Sequence, residues 1–198
     1  MPEQLSFGGL DFIRRTRPSD GGRVYLALLP NETASTRCVL CARDTQRQTG
    51  LRGRIREGQF HISLHGIGLF EELTEDVGTH VRKAAAGVSV ESFDIQFDRV
   101  MSFGNNAVAL AGPPERRGPV HDLFAELGLA LGLRGKSFRP HLTLFYVNRP
   151  TAEWPMAERR IEPIGWTVRD FVLVHSHRGL EPMGSWSLRE PSRAAPGL

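Results

Sequence analysis

Two short segments of the chain share one arrangement of chemically active residues. They are His61-Ile62-Ser63-Leu64 and His141-Leu142-Thr143-Leu144. In each, a hydroxyl side chain follows an imidazole two positions later. Imidazoles titrate near neutral pH, so one of the pair can accept a proton while the other donates one. Hydroxyl groups can donate hydrogen bonds to the non-bridging oxygens of a phosphate. The repeated motif therefore favours displacement at phosphorus without a metal or a nucleotide cofactor.

Both motifs lie in stretches with the pattern of β-strands. Because side chains alternate across a strand, each motif predicts one aliphatic face and one face with the imidazole and the hydroxyl. The predicted polar faces are His61, Ser63 and His65 in the first strand, and His141, Thr143 and Phe145 in the second; the aliphatic face of the second is Leu142, Leu144 and Tyr146. A polar face of this kind usually borders solvent or a cleft, since burying unpaired polar groups costs about 1–3 kcal/mol each.

Other uses of these histidines remain open from the residues alone. A single histidine on a half-buried strand is most often a hydrogen-bonded structural residue, and only the repetition argues for more. A metal site is a second alternative, in which His65 would join His61 and His141. His175 and His177 are predicted to be exposed strand residues, with lining of the groove rim as the alternative, and His80 and His121 are predicted to be exposed on helices.

The elements that would position the motifs alternate between helices and strands. The predicted order is strand, helix, strand, helix, strand, strand, helix and three strands. Asn31 would cap the first helix, over about 33–48, and Gly104-Asn105-Asn106 would turn a hairpin. The segment "WTVRDFVLVHSHR" would be one strand, paired with "GSWSLRE" in a closing hairpin. Strands that follow one another directly indicate an α+β fold with largely antiparallel sheets.

The composition is that of a globular protein with little charge imbalance. The 198 residues carry a net charge of +3, with 25 basic and 22 acidic side chains, which gives no argument for an extended nucleic-acid surface. Cys38 and Cys41 form a lone C-x-x-C in a predicted helix, where they are expected to be small buried residues. No signal peptide and no apolar run of membrane-spanning length is evident. We expect a cytoplasmic protein with no membrane partner.

With these residues in view, the chain resembles the 2H phosphoesterase superfamily, in its LigT-like "2′-5′ RNA ligase" branch. The resemblance rests on the two His-x-Ser/Thr motifs, on "RVYLALLP" as an opening strand, and on "FVLVHSHRGLEPMGSWSL" as a closing hairpin with Ser176. It covers about residues 23–189. It implies a single bilobal domain over 23–190, after a leader at 1–22 and before a loose tail at 191–198. The two pseudo-symmetric lobes of mainly antiparallel sheet would carry helices on their outer faces and enclose a central cleft.

The resemblance also implies a function. It is metal-independent hydrolysis of 2′,3′-cyclic phosphates on RNA ends or nucleotides, with possible 2′-5′ ligation by the reverse chemistry. His141 would be the general base and His61 the general acid, while Ser63 and Thr143 would hold the phosphate. The protein would be a phosphoric diester hydrolase, a monomer without cofactor or metal. The alternative is a protein that binds nucleotides or RNA ends with little turnover.

Further positions concern the rest of the substrate. Tyr25 stands where the family has an aromatic residue able to stack on a base, although a core aromatic is an equal alternative. Tyr146 and Arg139 are the other predicted substrate-binding residues. Many relatives carry an arginine after the second motif, where this chain has Phe145-Tyr146. The cations that could replace it are Arg139, Arg149 and Arg56.

Overall fold

The structure is a computed structural model, and it describes residues 22–70, 74–113, 117–133, 137–150, 154–177 and 179–191. The predicted leader and tail fall almost entirely on 1–21 and 192–198, outside the described residues. The strands are β1 (Gly22–Leu28), β2 (Ile62–Phe70), β3 (Phe93–Phe103), β4 (Ala107–Ala111), β5 (His141–Tyr146), β6 (Arg159–Val168), β7 (Asp170–Ser176) and β8 (Glu181–Ser187). The helices are α1 (Glu32–Thr49), α2 (Glu75–Ala86) and α3 (Pro119–Ala130).

The strands form two four-stranded antiparallel sheets, which confirms the predicted α+β class. Sheet 1 has the order β2-β1-β7-β8, and sheet 2 has the order β5-β4-β3-β6. The first motif begins one residue before edge strand β2, and the second begins with the first residue of edge strand β5. Each motif therefore lies at the border of its own four-stranded sheet.

The predicted closing hairpin was wrong in one respect. The segment "WTVRDFVLVHSHR" is not one strand, because the chain passes from sheet 2 to sheet 1 at Arg169. Its first residues end β6, and the rest forms β7. The sequence hides β6 because Pro163 and several charged residues interrupt the apolar alternation. An edge strand tolerates this composition, since only one side of its backbone needs partners.

The helices cover the sheets in a crossed arrangement. Asn31 caps α1 as predicted, and its side-chain oxygen accepts a hydrogen bond from the Ala34 amide at 2.8 Å. Although α1 follows β1 of sheet 1, it packs on β5 and β6 of sheet 2. Helices α2 and α3 pack on sheet 1, through β8 and β2. In the described part of the chain, no helix combines the length and the apolarity that a membrane crossing requires.

The central strands of sheet 1 are apolar on both faces. One face of β1 and β7 joins the main core, through Val24, Leu26, Leu28, Phe171 and Leu173. The other face forms a small separate cluster of Tyr25, Ala27, Val172 and Val174. Of these four residues, Tyr25 belongs to the wall of the groove described next.

Candidate active site

The two motif histidines are anchored in the same way. His61 Nδ1 lies 2.8 Å from the Gln59 carbonyl oxygen, and His141 Nδ1 lies 2.9 Å from the Arg139 carbonyl oxygen. A carbonyl oxygen can only accept, so in both rings Nδ1 donates and carries the proton of the neutral imidazole. Each Nε2 then keeps its lone pair for other partners. Both rings are half-buried.

The edges of the two sheets meet beside a groove. Several Cα atoms of β2 lie within 8 Å of Cα atoms of β5, and His61 and His141 interact electrostatically. A cavity of about 1230 Å³ adjoins β2, and its polar wall includes Tyr25, Arg56, His61, Ser63, Tyr146 and Ser176. Three of the predicted site residues lie outside this wall: His141, Thr143 and Arg139. His141 and Thr143 nevertheless belong to β5, the strand that contributes Tyr146 to the wall.

The hydroxyl of each motif stands opposite a small residue of the neighbouring strand. Ser63 pairs with Ala27 of β1, and Thr143 pairs with Ala109 of β4. An alanine neighbour leaves space above the strand, where a larger residue would cover the hydroxyl. Ser63 is exposed and Thr143 is half-buried, so Ser63 in particular is open to a ligand.

A β-bulge follows the motif in both strands. In β2 the three steps from Ser63 to Gly66 lie opposite only two steps of β1, from Ala27 to Tyr25. In β5 the extra residue falls between Thr143 and Phe145, whose partners Ala109 and Val108 are consecutive. An extra residue reverses the faces of all later side chains.

The bulges overturn two predictions about faces. His65 does not share the face of Ser63: it is buried, its Nε2 bonds to the Phe124 carbonyl oxygen at 2.7 Å, and its ring stacks on Phe124. Phe145 does not share the face of Thr143, since it is fully buried in the main core. Gly66 and Tyr146 line the cavity and Phe145 does not, while His65 borders the cavity from its stacked position on Phe124. Regular alternation, which the prediction assumed, cannot detect an inserted residue.

The surroundings of His61 favour its neutral form. Burial lowers its pKa below the ordinary 6.5, and the positive charges of Arg56 and His141 lower it further, while the Gln59 carbonyl acts in the opposite direction. The Tyr25 ring lies 5.0 Å from the imidazole, centroid to centroid. Burial also raises the pKa of Tyr25, whose phenol hydrogen-bonds with Ser176. His61 is thus held among a neutral phenol, a carbonyl oxygen and a cation.

The surroundings of His141 are aromatic. Phe103 stacks on the imidazole with ring centroids 4.4 Å apart. The guanidinium of Arg139 lies 5.3 Å from the centre of the same Phe103 ring. Arg139 thus contacts His141 through its backbone carbonyl, and its side chain lies against the Phe103 ring. Arg149 is exposed and does not belong to the cavity wall.

Of the four remaining histidines, two are packed into the protein and two are exposed. The expected exposure was wrong for His175, which is buried with Nε2 3.0 Å from the Phe70 carbonyl oxygen. It was also wrong for His121, which is half-buried and packs edge-on against Phe138. His80 and His177 are exposed as expected. Strand and helix patterns show which face a residue occupies, but they do not show which loop or helix covers it.

The residues that the structure describes contain no group of three or more His, Cys, Asp or Glu side chains suited to hold a metal ion. The predicted alternative set required His65 beside His61 and His141. Instead, His65 Nε2 is occupied by the Phe124 carbonyl oxygen, on the far side of the bulge.

Comparison with known proteins decides the family. The family model of the 2′-5′ RNA ligase superfamily matches residues 42–180. The chain belongs to the 2′-5′ RNA ligase superfamily. The matched span includes both motifs, β2 to β7 and all of α2 and α3. No curated protein matches the chain.

Solved structures agree with this assignment at the level of the fold. Apo LigT from E. coli aligns with 17% identity and a TM-score of 0.66, over 87% of this chain and all of LigT. LigT complexed with 3′-AMP aligns with 16% identity and a TM-score of 0.66, over 86% of this chain and 99% of that one. The protein TT0787 of Thermus thermophilus aligns with 18% identity and a TM-score of 0.65, over 85% and 99%. The superfamily member described here therefore shares the LigT fold along most of its length.

Proposed function

We propose that the protein is a metal-independent phosphodiesterase that hydrolyses 2′,3′-cyclic phosphates of RNA ends or nucleotides. The observation that carries the proposal is the matched anchoring of the two imidazoles, on edge strands that approach each other beside a groove. In both, the Nδ1 proton is engaged by the backbone, so Nε2 is the atom left for proton transfer.

The reaction needs one proton acceptor and one donor. His141 Nε2 takes a proton from water as the water oxygen forms a bond to phosphorus. The bond from phosphorus to one ribose oxygen breaks, and His61 gives its proton to that oxygen; the negative charge of the bound phosphate raises the pKa of His61 from its lowered value in the free protein. The net reaction adds one water and yields a phosphomonoester. Each proton transfer of this kind contributes roughly 10²–10⁴-fold in rate. Ligation reverses the steps and exchanges the two roles.

The hydroxyl groups hold the phosphate in this proposal. Ser63 and Thr143 each follow the motif histidine by two positions, and each is paired with an alanine of the neighbouring strand; Ser63 is exposed and Thr143 is half-buried. Their hydrogen bonds to the non-bridging oxygens stabilise the charge that develops there. Tyr146 and Tyr25, both in the cavity wall, contact the rest of the nucleotide, and Arg139 approaches it from the His141 side.

Proteins of the same fold support a nucleotide ligand. LigT has been crystallised with 3′-AMP and with phosphate. The groove described here has apolar, aromatic and cationic parts, as a base, a ribose and a phosphate require. The proposed partner is accordingly an RNA terminus or a small cyclic nucleotide.

The protein acts, in this proposal, as a monomer in the cytoplasm. Its two described cysteines are free, and burial raises the pKa of Cys38 to about 12, which keeps the thiol protonated and unreactive. Free, unreactive thiols suit a reducing compartment. Sedimentation of the purified protein at micromolar concentration tests whether it is a monomer.

The direct test is hydrolysis of a 2′,3′-cyclic nucleotide in the presence of a chelator, with chromatography that resolves the 2′- and 3′-phosphate products. Wild type should turn over, and His61→Ala and His141→Ala should each lose at least about 10²-fold in kcat. Ser63→Ala and Thr143→Ala should each lose roughly 10- to 100-fold in kcat/KM, as expected for one hydrogen bond to a charged group.

The matched control is His177→Ala, which removes an exposed histidine outside the cavity wall and should retain full activity. Failure of wild type to turn over any cyclic nucleotide would overturn the proposal. Equal rates in wild type and in both histidine variants would do the same. Tight nucleotide binding without product would instead favour a binding protein on this fold.

A further inference from the structure

The cavity wall contains two arginines, Arg23 and Arg56, that have no acidic partner among the described residues; Arg23 is exposed, whereas Arg56 is half-buried. Arg56 belongs to the cavity wall, together with His61 and Ser63. Within the described residues, no carboxylate forms an ion pair with it. Other arginines of the described chain are paired with acids: Arg47 and Arg159 with Asp44, and Arg99 and Arg160 with Asp98. A half-buried guanidinium without a counter-charge favours an anionic ligand.

The backbone around Arg56 is fixed on β5. The Arg56 amide donates to the Leu144 carbonyl oxygen at 2.9 Å, and the Asn148 amide donates to the Arg52 carbonyl oxygen at 2.9 Å. Between these two bonds, Ile55 forms an antiparallel bridge with Phe145. Residues 52–56 therefore extend the free edge of sheet 2 as a short added strand. A glycine is required at position 53, where a Cβ atom would lie 2.0 Å from the Tyr146 carbonyl oxygen.

The side chain of Arg56 is held on an aromatic ring. Its guanidinium carbon lies 5.5 Å from the centre of the Tyr146 ring, a cation–π distance. Its Nε is buried and has no hydrogen-bond partner in the described residues. Tyr146 reaches the groove only because the bulge in β5 turns it there. Strand β5 thus supplies both the backbone acceptor and the ring that orient this cation.

The charge of Arg56 acts on the first motif. It lowers the pKa of His61 and that of Tyr25, so it lies close enough to influence both groups. Arg56 therefore connects the two halves of the site: its backbone is bound to the strand of the second motif, and its charge acts on the histidine of the first.

We infer that Arg56, oriented by Tyr146, is the residue that neutralises the phosphate held between the two motif strands. This inference rests on the proposed function and deepens it, since it names the cation of the site. The guanidinium donates hydrogen bonds to the non-bridging oxygens and gives up no proton. The cation comes from the segment before β2, and the second motif strand provides an aromatic support instead of a charge.

Kinetics of four proteins test the inference. In hydrolysis of a 2′,3′-cyclic nucleotide, Arg56→Ala should lose about 10²-fold in kcat/KM, the usual effect of removing one donor to a developing oxyanion. Arg54→Ala is the matched control, since Arg54 is an exposed neighbour outside the cavity wall and should retain wild-type activity. The double variant Arg56→Ala/Tyr146→Arg puts a guanidinium on β5 itself and should recover at least about tenfold over Arg56→Ala. Each variant is accepted only if its melting temperature stays within about 3 °C of wild type.

A binding measurement keeps this test separate from the proposed function. Inorganic phosphate is titrated into the full-length protein, and the shifts of the histidine ring signals are followed by NMR. Arg56→Ala should weaken the apparent affinity at least about tenfold, while Arg54→Ala should not change it. If wild type shows no turnover but this difference remains, the proposed activity fails and the inference stands. If Arg56→Ala matches wild type within twofold in both measurements, the inference is wrong.

Discussion

At the scale of single residues, the two motif histidines differ in their surroundings although their anchoring is the same. Both rings donate Nδ1–H to a carbonyl oxygen two residues earlier in the chain. His61 then faces a cation and a phenol, whereas His141 faces a phenylalanine ring. The sequence predicted the pair from its repetition. It could not predict the unequal neighbours, since Arg56 and Phe103 belong to segments outside the motifs they influence.

One consequence concerns the titration of His61. Burial and two positive charges lower its pKa, so its ring signals should titrate with a midpoint below 6.5 in NMR. Arg56→Gln removes one of the charges and should move the midpoint upward, toward 6.5. Arg54→Gln removes the charge of the exposed neighbour and should leave the midpoint unchanged. A wild-type midpoint above 6.5, or equal shifts in the two variants, would contradict this electrostatic description.

At the scale of elements, the repeated β-bulge determines which side chains reach the groove. Period-two alternation correctly placed the imidazole and the hydroxyl of each motif, because these residues precede the bulge. It failed at His65 and Phe145, which follow it. Strand β6 was not predicted for another reason. Its proline and charged residues interrupt the apolar alternation, and only an edge strand tolerates them. The sequence thus predicted the elements with strong local patterns, and missed features that depend on the neighbouring strand.

The bulge in β5 gives a stability difference between adjacent residues. Phe145→Ala removes a fully buried ring and should lower the free energy of unfolding by about 3–5 kcal/mol. Tyr146 is 45% exposed, so Tyr146→Ala should cost less than about 1 kcal/mol. Urea unfolding followed by circular dichroism measures both. Regular alternation would reverse the two values, and such a reversal would contradict the bulge.

At the scale of the whole molecule, the two sheets are joined by more than the crossing at Arg169. The added strand at 52–56 attaches to β5 and leads through a turn at 57–58 to β2. An aromatic stack of His65, Phe124 and Phe138 runs from the edge of sheet 1, through α3, to the segment that precedes His141. Both connections lead to the motif strands, so the packing that holds the lobes together also positions the site.

The stack makes stability depend on pH. Burial lowers the pKa of both His65 and His61 in the folded protein. In the unfolded chain, both imidazoles titrate with the ordinary pKa of 6.5. The unfolded state therefore takes up more protons as the pH falls below about 6.5, and the free energy of unfolding should decrease until the native pKa values are passed.

The variant His65→Gln separates the contribution of His65 from the loss of stability that other groups cause at low pH. Glutamine can still donate to the Phe124 carbonyl oxygen but does not titrate, so the loss of stability between pH 7 and 5 should be smaller than in wild type. Urea midpoints at several pH values measure it. An unchanged pH dependence in His65→Gln would assign the effect to other groups.

The equivalent positions after the two bulges carry unequal side chains, and this inequality gives the groove a polarity. Position 146 holds a tyrosine, while position 66 holds a glycine at which an added Cβ would meet no atom within 4 Å. A matched pair of strands alone would accept a phosphodiester in either of two orientations. In the proposed function, the aromatic ring at position 146 would come from the second motif strand itself, whereas the ring on the other side, Tyr25, would come from β1, opposite Gly66. The two orientations of a bound phosphodiester would therefore meet different surfaces.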